Sequence, residues 1–363
     1  MKKSLIMLAI AGAFAGTAHA QTAVNVYGIV DMGLVREQGN AAGSVNKVTS
    51  GAQSGSRIGF KGTEDLGDNM KALFVLETGI AADGGGFNQN GLAFGRQSFV
   101  GLQNDFGTLT LGRQYTPYFL TLNAADPFAS GLAGSSGNLM ANSGIRMNNT
   151  IKYASPIFMG GATAELAYGF GEFTGNNDKG RLISGSIGYA NDLFSLRLAH
   201  HNKRNAADTA NSKNTILAGT WDFQVAKAFI AYAENEGAES SPYPGLAVFR
   251  FLNPLAPTYS PFGTTVTEAS FSTKSRDFLI GASVPFGKHN FIASYIRKDD
   301  RNAANNDANQ IGIGYTYAIS KRTNLYAAWA RIDNKNLAAY TVGNNSEPGS
   351  GDKAFNFGVR HIF

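Results

Sequence analysis

Apolar and polar residues alternate along most of this chain, in stretches of roughly ten residues separated by polar segments. In the last stretch the odd positions of 355–363 carry apolar or ring side chains, while Asn356, Gly358 and Arg360 occupy the even positions. The same alternation recurs within 165–170, 194–199 and 311–317. A period of two predicts β-strands, and about ten residues is the length a tilted strand needs to cross a bilayer.

Proline and apolar run lengths restrict the kind of structure further. Proline cannot donate to a β-ladder, and all ten prolines are expected outside the alternating stretches, Pro285 within a turn at 285–289. After the first twenty residues no apolar run reaches the roughly 18 residues of a membrane-spanning helix. Any insertion into a membrane is therefore expected to use strands.

The connections between the alternating stretches are short and long in turn, as in a membrane barrel with turns at one end and loops at the other. The predicted turns are 65–68, 104–107, 156–161, 191–192, 222–226, 285–289 and 320–323. The predicted loops are 37–52, 81–92, 116–145, 171–181, 202–213, 237–273, 299–309 and 334–351. Eight loops and seven turns join sixteen strands, which predicts an all-β fold, a closed transmembrane antiparallel β-barrel.

The start of the chain has the pattern of a secretion signal. Lys2 and Lys3 precede an apolar run over 5–15, and Ala18-His19-Ala20 forms a small-x-small cleavage site. We expect residues 1–20 to be a signal peptide and 21–363 to be a single barrel domain.

Composition argues against several other classes of protein. The formal net charge of +5 comes from basic and acidic residues mixed throughout, which does not indicate a nucleic-acid partner. The absence of cysteine excludes disulfides, thiolate metal sites and a cysteine nucleophile. No metal cage, phosphate-binding glycine motif or dinucleotide fingerprint stands out, so no cofactor is implied.

Several motifs in order along the chain resemble one known family, the general diffusion porins of the Gram-negative outer membrane, in particular those of beta-proteobacteria. The motifs are VYGIVD at 26–31, SRIGFKGTEDLG at 56–67, GRQSFVGL at 95–102, LGRQY at 111–115, NNTIKYASP at 148–156 and the terminal Phe363. Each motif is weak alone, but together they cover the chain after the signal segment.

This resemblance implies a water-filled channel in the outer membrane of a Gram-negative bacterium, through which ions and small hydrophilic solutes diffuse passively. It implies a homotrimer whose third loop, about 116–145, folds into the pore and narrows it. It also implies contact with outer-membrane lipid and lipopolysaccharide. The terminal Phe363 resembles the signal that the outer-membrane assembly machinery recognises.

The resemblance assigns Arg57, Arg96 and Arg113 to the wall of the pore constriction. Parity supports two of them: Arg57 has the opposite facing to Ile58 and Phe60, and Arg96 has the opposite facing to Phe99. Arg146 and Lys152 share the polar parity of their strand and could extend the row of cations. Any one of these side chains could instead be merely solvated or paired with a carboxylate.

The predicted third loop contains a single acid, Asp126, where related loops often carry several. We therefore hypothesise a constriction with excess positive charge and some preference for anions, which Glu77 or Asp31 on the wall could offset. The alternative role for Asp126, followed by Pro127, is that of a turn residue.

Three other functions remain as alternatives. A substrate-specific channel would use an aromatic track, for which Tyr115, Tyr118 and Phe119 are candidates, although packing of the loop against the wall is the simpler role. An outer-membrane enzyme is disfavoured because the few histidines show no triad spacing. A soluble β-sandwich could share the alternation, but it does not require alternating loop lengths and ten-residue strands.

Overall fold

The computed structural model describes residues 23–141, 144–237 and 272–363, with positions 240 and 242 and the short strands Thr258–Tyr259 and Val266–Thr267 between them. The predicted signal segment 1–20 and most of the predicted loop 237–273 lie outside the described residues.

Within the described residues, sixteen long antiparallel strands form one continuous sheet. The second strand is interrupted, so that two segments occupy one place in the sheet. In chain order the strands are β1 (Ala23–Asn40), β2 (Gly43–Ser50 and Arg57–Gly67), β3 (Met70–Ala81), β4 (Gln97–Asn104), β5 (Gly107–Tyr115), β6 (Arg146–Ala154), β7 (Ala162–Gly169), β8 (Leu182–Ala190), β9 (Phe194–Arg204), β10 (Asn211–Asp222), β11 (Lys227–Glu236), β12 (Lys274–Phe286), β13 (His289–Asp300), β14 (Ala308–Ala318), β15 (Thr323–Asn334) and β16 (Lys353–Ile362).

The remaining described elements are small and lie in the connections. Helix α1 spans Pro117–Ala125, and a 3-10 turn spans Ser136–Asn138. A two-residue strand, Gly86–Phe87, precedes a single helical turn, Asn88–Gly91. None of the described helices is long and apolar enough to cross a membrane.

The sheet closes on itself through β1. One edge of β1 pairs with both segments of β2, and its other edge pairs with β16 from Ile29↔Ile362 onward. Gly28 and Phe363 exchange two backbone hydrogen bonds of 3.1 Å at the end of this seam. The predicted closed barrel of sixteen strands is confirmed.

The two faces of the strands have the reverse of the polarity found in a soluble protein. On β16, Phe355 and Phe357 are 46% and 47% exposed, whereas Asn356 between them is fully buried. On β14, Ile311 is 54% exposed and its neighbour Gln310 is fully buried. Apolar side chains therefore point outward and polar side chains pack inside, which suits surroundings of lipid and excludes the soluble β-sandwich.

The first connection differs from the prediction. The chain was expected to form a loop over 37–52, but the β1–β2 ladder continues from Met32↔Ser50 to Asn40↔Gly43, so the turn contains only residues 41–42. The loop-like composition instead belongs to residues 51–56, which interrupt β2. We call residues 51–56 the β2 insert.

The prediction that every proline lies outside the strands is wrong for Pro285. It is the penultimate residue of β12 and pairs with Asn290 on β13. The pairing of β12 with β11 ends earlier, at Ser283. Because β12 has a partner on one side only at this point, the missing N–H of Pro285 leaves no ladder position empty toward β11. His289, also expected in the turn, begins β13.

Replacement of Gly28 tests the closure seam. A Cβ atom at this position would lie 2.3 Å from Cζ of Phe363 and 2.6 Å from the carbonyl oxygen of Arg57. We expect Gly28→Val to destabilise the folded barrel by about 1–3 kcal/mol, a typical cost of overpacking. The measurement is the urea midpoint of the detergent-solubilised barrel. Gly84→Val is the matched control because a Cβ there meets no atom within 4 Å, and equal midpoints for the two variants would contradict the packing argument.

Candidate functional site

The connection after β5 begins with a well-defined helix. Thr116 caps α1, its hydroxyl accepting a hydrogen bond from the Phe119 N–H at 3.1 Å. Pro117 occupies the first turn, where a missing N–H costs nothing. The helix ends at Ala125, and Asp126, immediately before Pro127, is its C-cap residue. We call residues 116–145 the third loop, of which 142 and 143 lie outside the described residues.

The third loop contacts residues on the polar faces of distant strands. Its helix lies against β8 to β11, and the Tyr118 N–H donates to the hydroxyl of buried Ser184 on β8 at 3.3 Å. Phe128 packs where β14 has glycine: a Cβ at Gly314 would lie 2.7 Å from the Phe128 ring. Asn138 donates from its side-chain amide to Gln310, also on β14, at 2.8 Å. The faces it meets are opposite to the exposed apolar residues.

Asp126 is buried within the third loop, with 2% of its surface exposed. Its carboxylate accepts hydrogen bonds from the backbone N–H groups of Phe128 (2.9 Å), Ser130 (3.0 Å) and Ser136 (2.8 Å). Burial raises the pKa of Asp126, and these hydrogen bonds oppose the increase. Its contribution to stability is therefore most favourable below the ordinary carboxyl pKa and declines as pH rises through the raised value.

The third loop and the strands facing it line a cavity of about 630 Å³. Three arginines line it from the wall: Arg57 begins the second segment of β2, Arg96 directly precedes β4, and Arg146 begins β6. Glu347, in the connection between β15 and β16, is the carboxylate among the described lining residues. It is paired with Lys47 at 2.8 Å. We call this space the arginine cavity.

Glu77 organises two of the arginines from behind. Its carboxylate lies 2.7 Å from Nε of Arg96 and 4.0 Å from a terminal nitrogen of Arg57. The Tyr27 hydroxyl donates to the same carboxylate at 3.1 Å. Arg57 also donates from Nε to the carbonyl of Gly55, at 2.8 Å, in the β2 insert. One buried acid thus holds two cations on the cavity wall.

Tyr115 connects Arg96 to Arg146. Its hydroxyl accepts from Arg96 at 2.6 Å and from Arg146 at 2.9 Å. The Arg146 guanidinium also lies over the Tyr115 ring, 4.6 Å from its centroid. Phe119 stacks on Tyr115 with ring centroids 5.3 Å apart and planes inclined by 18°. Tyr115 therefore holds two like charges close together and attaches them to the start of α1.

Arg113 does not share this cavity. Its Nε donates to the Gly95 carbonyl at 2.8 Å, and its guanidinium also bonds to the side chain of Asn148. Of the residues proposed for the constriction from sequence, the structure brings Arg57, Arg96 and Arg146 together. Arg113 does not line the described cavity, and Asp126 is buried within the third loop.

Comparison with known proteins agrees with this architecture. A family model described as Gram-negative porin matches residues 5–337. This chain belongs to the Gram-negative porin family. Outer membrane porin protein 32 of Delftia acidovorans is 32% identical over 100% of both chains. An outer membrane porin protein of Bordetella pertussis is 31% identical over 90% of this chain and 93% of its own length.

A solved structure gives the same result. An anion-selective porin from Comamonas acidovorans is 29% identical and covers 94% of this chain and 100% of its own, with a TM-score of 0.74. The chain is accordingly an outer-membrane porin, whose barrel forms a channel.

The parity arguments for Arg96 and Arg146 do not hold in the porin, although both side chains line the cavity. The exposed apolar residues on β4 are Val100 and Leu102, so Phe99 faces away from them, and Arg96 precedes the strand. On β6, Asn149 has a positive φ and the register with β5 shifts, so parity is not continuous from Arg146 to Lys152. Lys152 instead pairs with Glu165 at 3.5 Å.

Sequence reasoning missed the β2 insert as part of the porin's cavity lining. Gln53 and Ser54 line the arginine cavity, and their N–H groups donate to buried Asp31, the former at 2.9 Å. The Tyr326 hydroxyl donates to the other oxygen of Asp31 at 2.6 Å. Asp31 thus supports the insert and does not line the cavity. The Gly-bounded polar sequence 51–55 was the available signal, but it resembles an ordinary loop.

Tyr115→Phe tests the bridge between the arginines. This change keeps the ring stack and removes the oxygen that accepts from Arg96 and Arg146. We therefore expect larger open-channel current fluctuations, and a lower urea midpoint that corresponds to a loss of about 1–3 kcal/mol in the free energy of unfolding. Single-channel recording and denaturation check these outcomes. Tyr118→Phe is the matched control, since the buried Tyr118 hydroxyl has no hydrogen-bond partner among the described residues. Identical behaviour of the two variants would contradict a bridging role.

Asp126→Ala tests the anchoring of the third loop. Three buried N–H groups would lose their acceptor, at about 1–3 kcal/mol each, so we expect a lower urea midpoint and an unstable single-channel conductance. Asp126→Asn keeps the volume and removes the charge; because the carboxylate is buried away from the cavity, the zero-current potential in a KCl gradient should stay unchanged. A strong shift of that potential would show that the charge acts on permeating ions.

Proposed function

We propose that this porin is a general diffusion channel for ions and small hydrophilic solutes, with a preference for anions set at the arginine cavity. The observation that carries the proposal is the charge of the lining: Arg57, Arg96 and Arg146 face the space, and its described carboxylate, Glu347, is already paired with Lys47. The Comamonas acidovorans relative, described as anion-selective, supports this assignment.

The physical basis is the field of fixed charges in a narrow passage. A guanidinium remains protonated at any physiological pH, so the lining charge does not titrate. One unit charge acting over about 6 Å contributes about 0.7 kcal/mol even in bulk water, and more beside a wall of low dielectric constant. Three such groups with one buried counter-charge, Glu77, favour anions over cations of similar size.

We further propose that the third loop narrows the channel and that the barrel assembles as a homotrimer. Contacts of the loop with Ser184, Gln310 and Gly314 on well-separated strands support the narrowing. The outer face of β1 carries exposed aliphatic side chains without rings, which suits a flat contact with another copy. They are Val24, Val26, Val30 and Leu34.

We propose two further partners of the porin from the residues on its outer surface. Arg276, Arg297 and Arg301 are about half exposed and lie where β12 and β13 meet the loops, a position suited to lipopolysaccharide phosphates. The terminal Phe363, 43% exposed beside the closure seam, is proposed as the signal for the assembly machinery.

The selectivity test is the zero-current potential of the purified porin in a planar bilayer across a KCl gradient. We expect an anion-selective sign for the native protein. Arg146→Gln should lower the chloride-to-potassium permeability ratio about tenfold, because one charge at about 6 Å in water changes the energies of the two ions by about 0.7 kcal/mol each, in opposite directions. Arg146 is chosen because it forms no ion pair among the described residues, whereas replacing Arg96 would release the charge of Glu77.

Arg322→Gln is the control, since Arg322 is exposed in the turn between β14 and β15, and its permeability ratio should match that of the native porin. A cation-selective native channel would refute the proposed preference. An Arg322 variant that loses selectivity as much as the Arg146 variant would place the filter elsewhere.

A further inference from the structure

The charged and uncharged parts of the arginine cavity lining come from different elements. Arg57, Arg96 and Arg146 lie at the starts of strands, whereas helix α1 contributes Phe119, Leu120 and Asn123 to the lining. Asp126, the acid of the third loop, is held by backbone N–H groups within the loop, and Glu347, the described carboxylate of the lining, is paired with Lys47. A solute in this space therefore meets three cations and, beside them, an uncharged, partly apolar surface.

Phe119 and Leu120 form a short apolar ledge beside the arginines. Both are only partly buried, and both line the cavity. Tyr115 already has two partners at its ring, Phe119 at 5.3 Å and the Arg146 guanidinium at 4.6 Å. This stack fixes the ledge next to the cations, so that the apolar and charged surfaces adjoin.

The arginine that packs on the Tyr115 ring keeps part of its hydrogen-bonding capacity unused. Nε of Arg146 is closed off from solvent and has no hydrogen-bond partner among the described residues, whereas the side chain as a whole is only partly buried and lines the cavity. A carboxylate is the acceptor whose planar geometry best matches a guanidinium, and from the cavity it would approach the terminal nitrogens. This cationic lining is independent of the shape of the ledge and points to an anionic ligand.

We infer that the arginine cavity binds small monocarboxylates with an apolar or aromatic body, the carboxylate on the arginines and the body on Phe119 and Leu120. The inference rests on the proposed anion-preferring channel and deepens it. An aromatic body would pack against the Phe119 ring and leave water. A second carboxylate at the far end would face the ledge without a partner, so dianions gain less.

The experiment measures block of the chloride current through the full-length porin in a planar bilayer. Sodium benzoate, gluconate, acetate and succinate are added in turn to the same channels, and the concentration that halves the current is determined for each salt. We expect half-block by benzoate at a concentration about three- to tenfold lower than by gluconate, which has the same charge and a polar body. Acetate and succinate should resemble gluconate.

Variants assign the effect to the ledge. Phe119→Ser should raise the benzoate concentration for half-block to the gluconate level. Phe119→Leu, which keeps an apolar side chain, should be intermediate and guards against a folding defect in the serine variant. Phe106→Ser is the matched control, because that ring is 82% exposed in the turn between β4 and β5.

The outcomes separate this inference from the proposed function. Equal block by benzoate and gluconate, in a channel that still prefers chloride, would overturn the carboxylate inference and leave the channel assignment intact. A Phe106 variant that loses benzoate block as fully as the Phe119 variant would also overturn it. A native channel without anion preference would instead refute the proposed function.

Discussion

Backbone polar groups that face hydrocarbon must be paired within the protein, and the rest of this structure depends on that requirement. A sheet satisfies it only when its first and last strands meet, which β1 achieves by pairing with β16 on one edge and with both segments of β2 on the other. Closure then dictates the polarity of each strand. Apolar side chains such as Phe355 point outward, and polar ones such as Asn356 are enclosed.

An enclosed polar surface creates the conditions for the third loop to be held firmly. Groups that would be solvated on a soluble protein are here buried donors and acceptors that need partners. Ser184 and Gln310 find them in the loop backbone and in Asn138. The buried pair Lys298–Asp277, with 3.0 Å between charged atoms, belongs to the same interior of β12 and β13. Such pairs add geometric definition more reliably than stability.

The arginine cavity shows how charged groups are arranged in that interior. Glu77 and Tyr115 are not cations, but they determine where the cations lie: the acid holds Arg57 and Arg96, and the phenol connects Arg96 to Arg146. Asp126 makes the opposite contribution, because its charge is used to fix the loop and does not balance the field in the cavity. The excess positive charge of the cavity lining depends on these three side chains together.

The amino-acid sequence by itself determined the strand count, the closed barrel and most of the lipid-facing positions, because a period of two is a local property that survives in any register. The same alternation indicated Arg57, because it places this residue on the face opposite to exposed Phe60. Only the tertiary structure decided the roles of the others. The bulge at Asn149 interrupts the alternation between Arg146 and the rest of β6. The β2 insert has the composition of a loop, and only its hydrogen bonds to Asp31 reveal its role in the cavity lining. The partners of Asp126 are backbone groups whose position depends on the folded loop. Contacts between distant segments depend on which enclosed polar groups form hydrogen bonds with one another. A local sequence pattern does not contain that information.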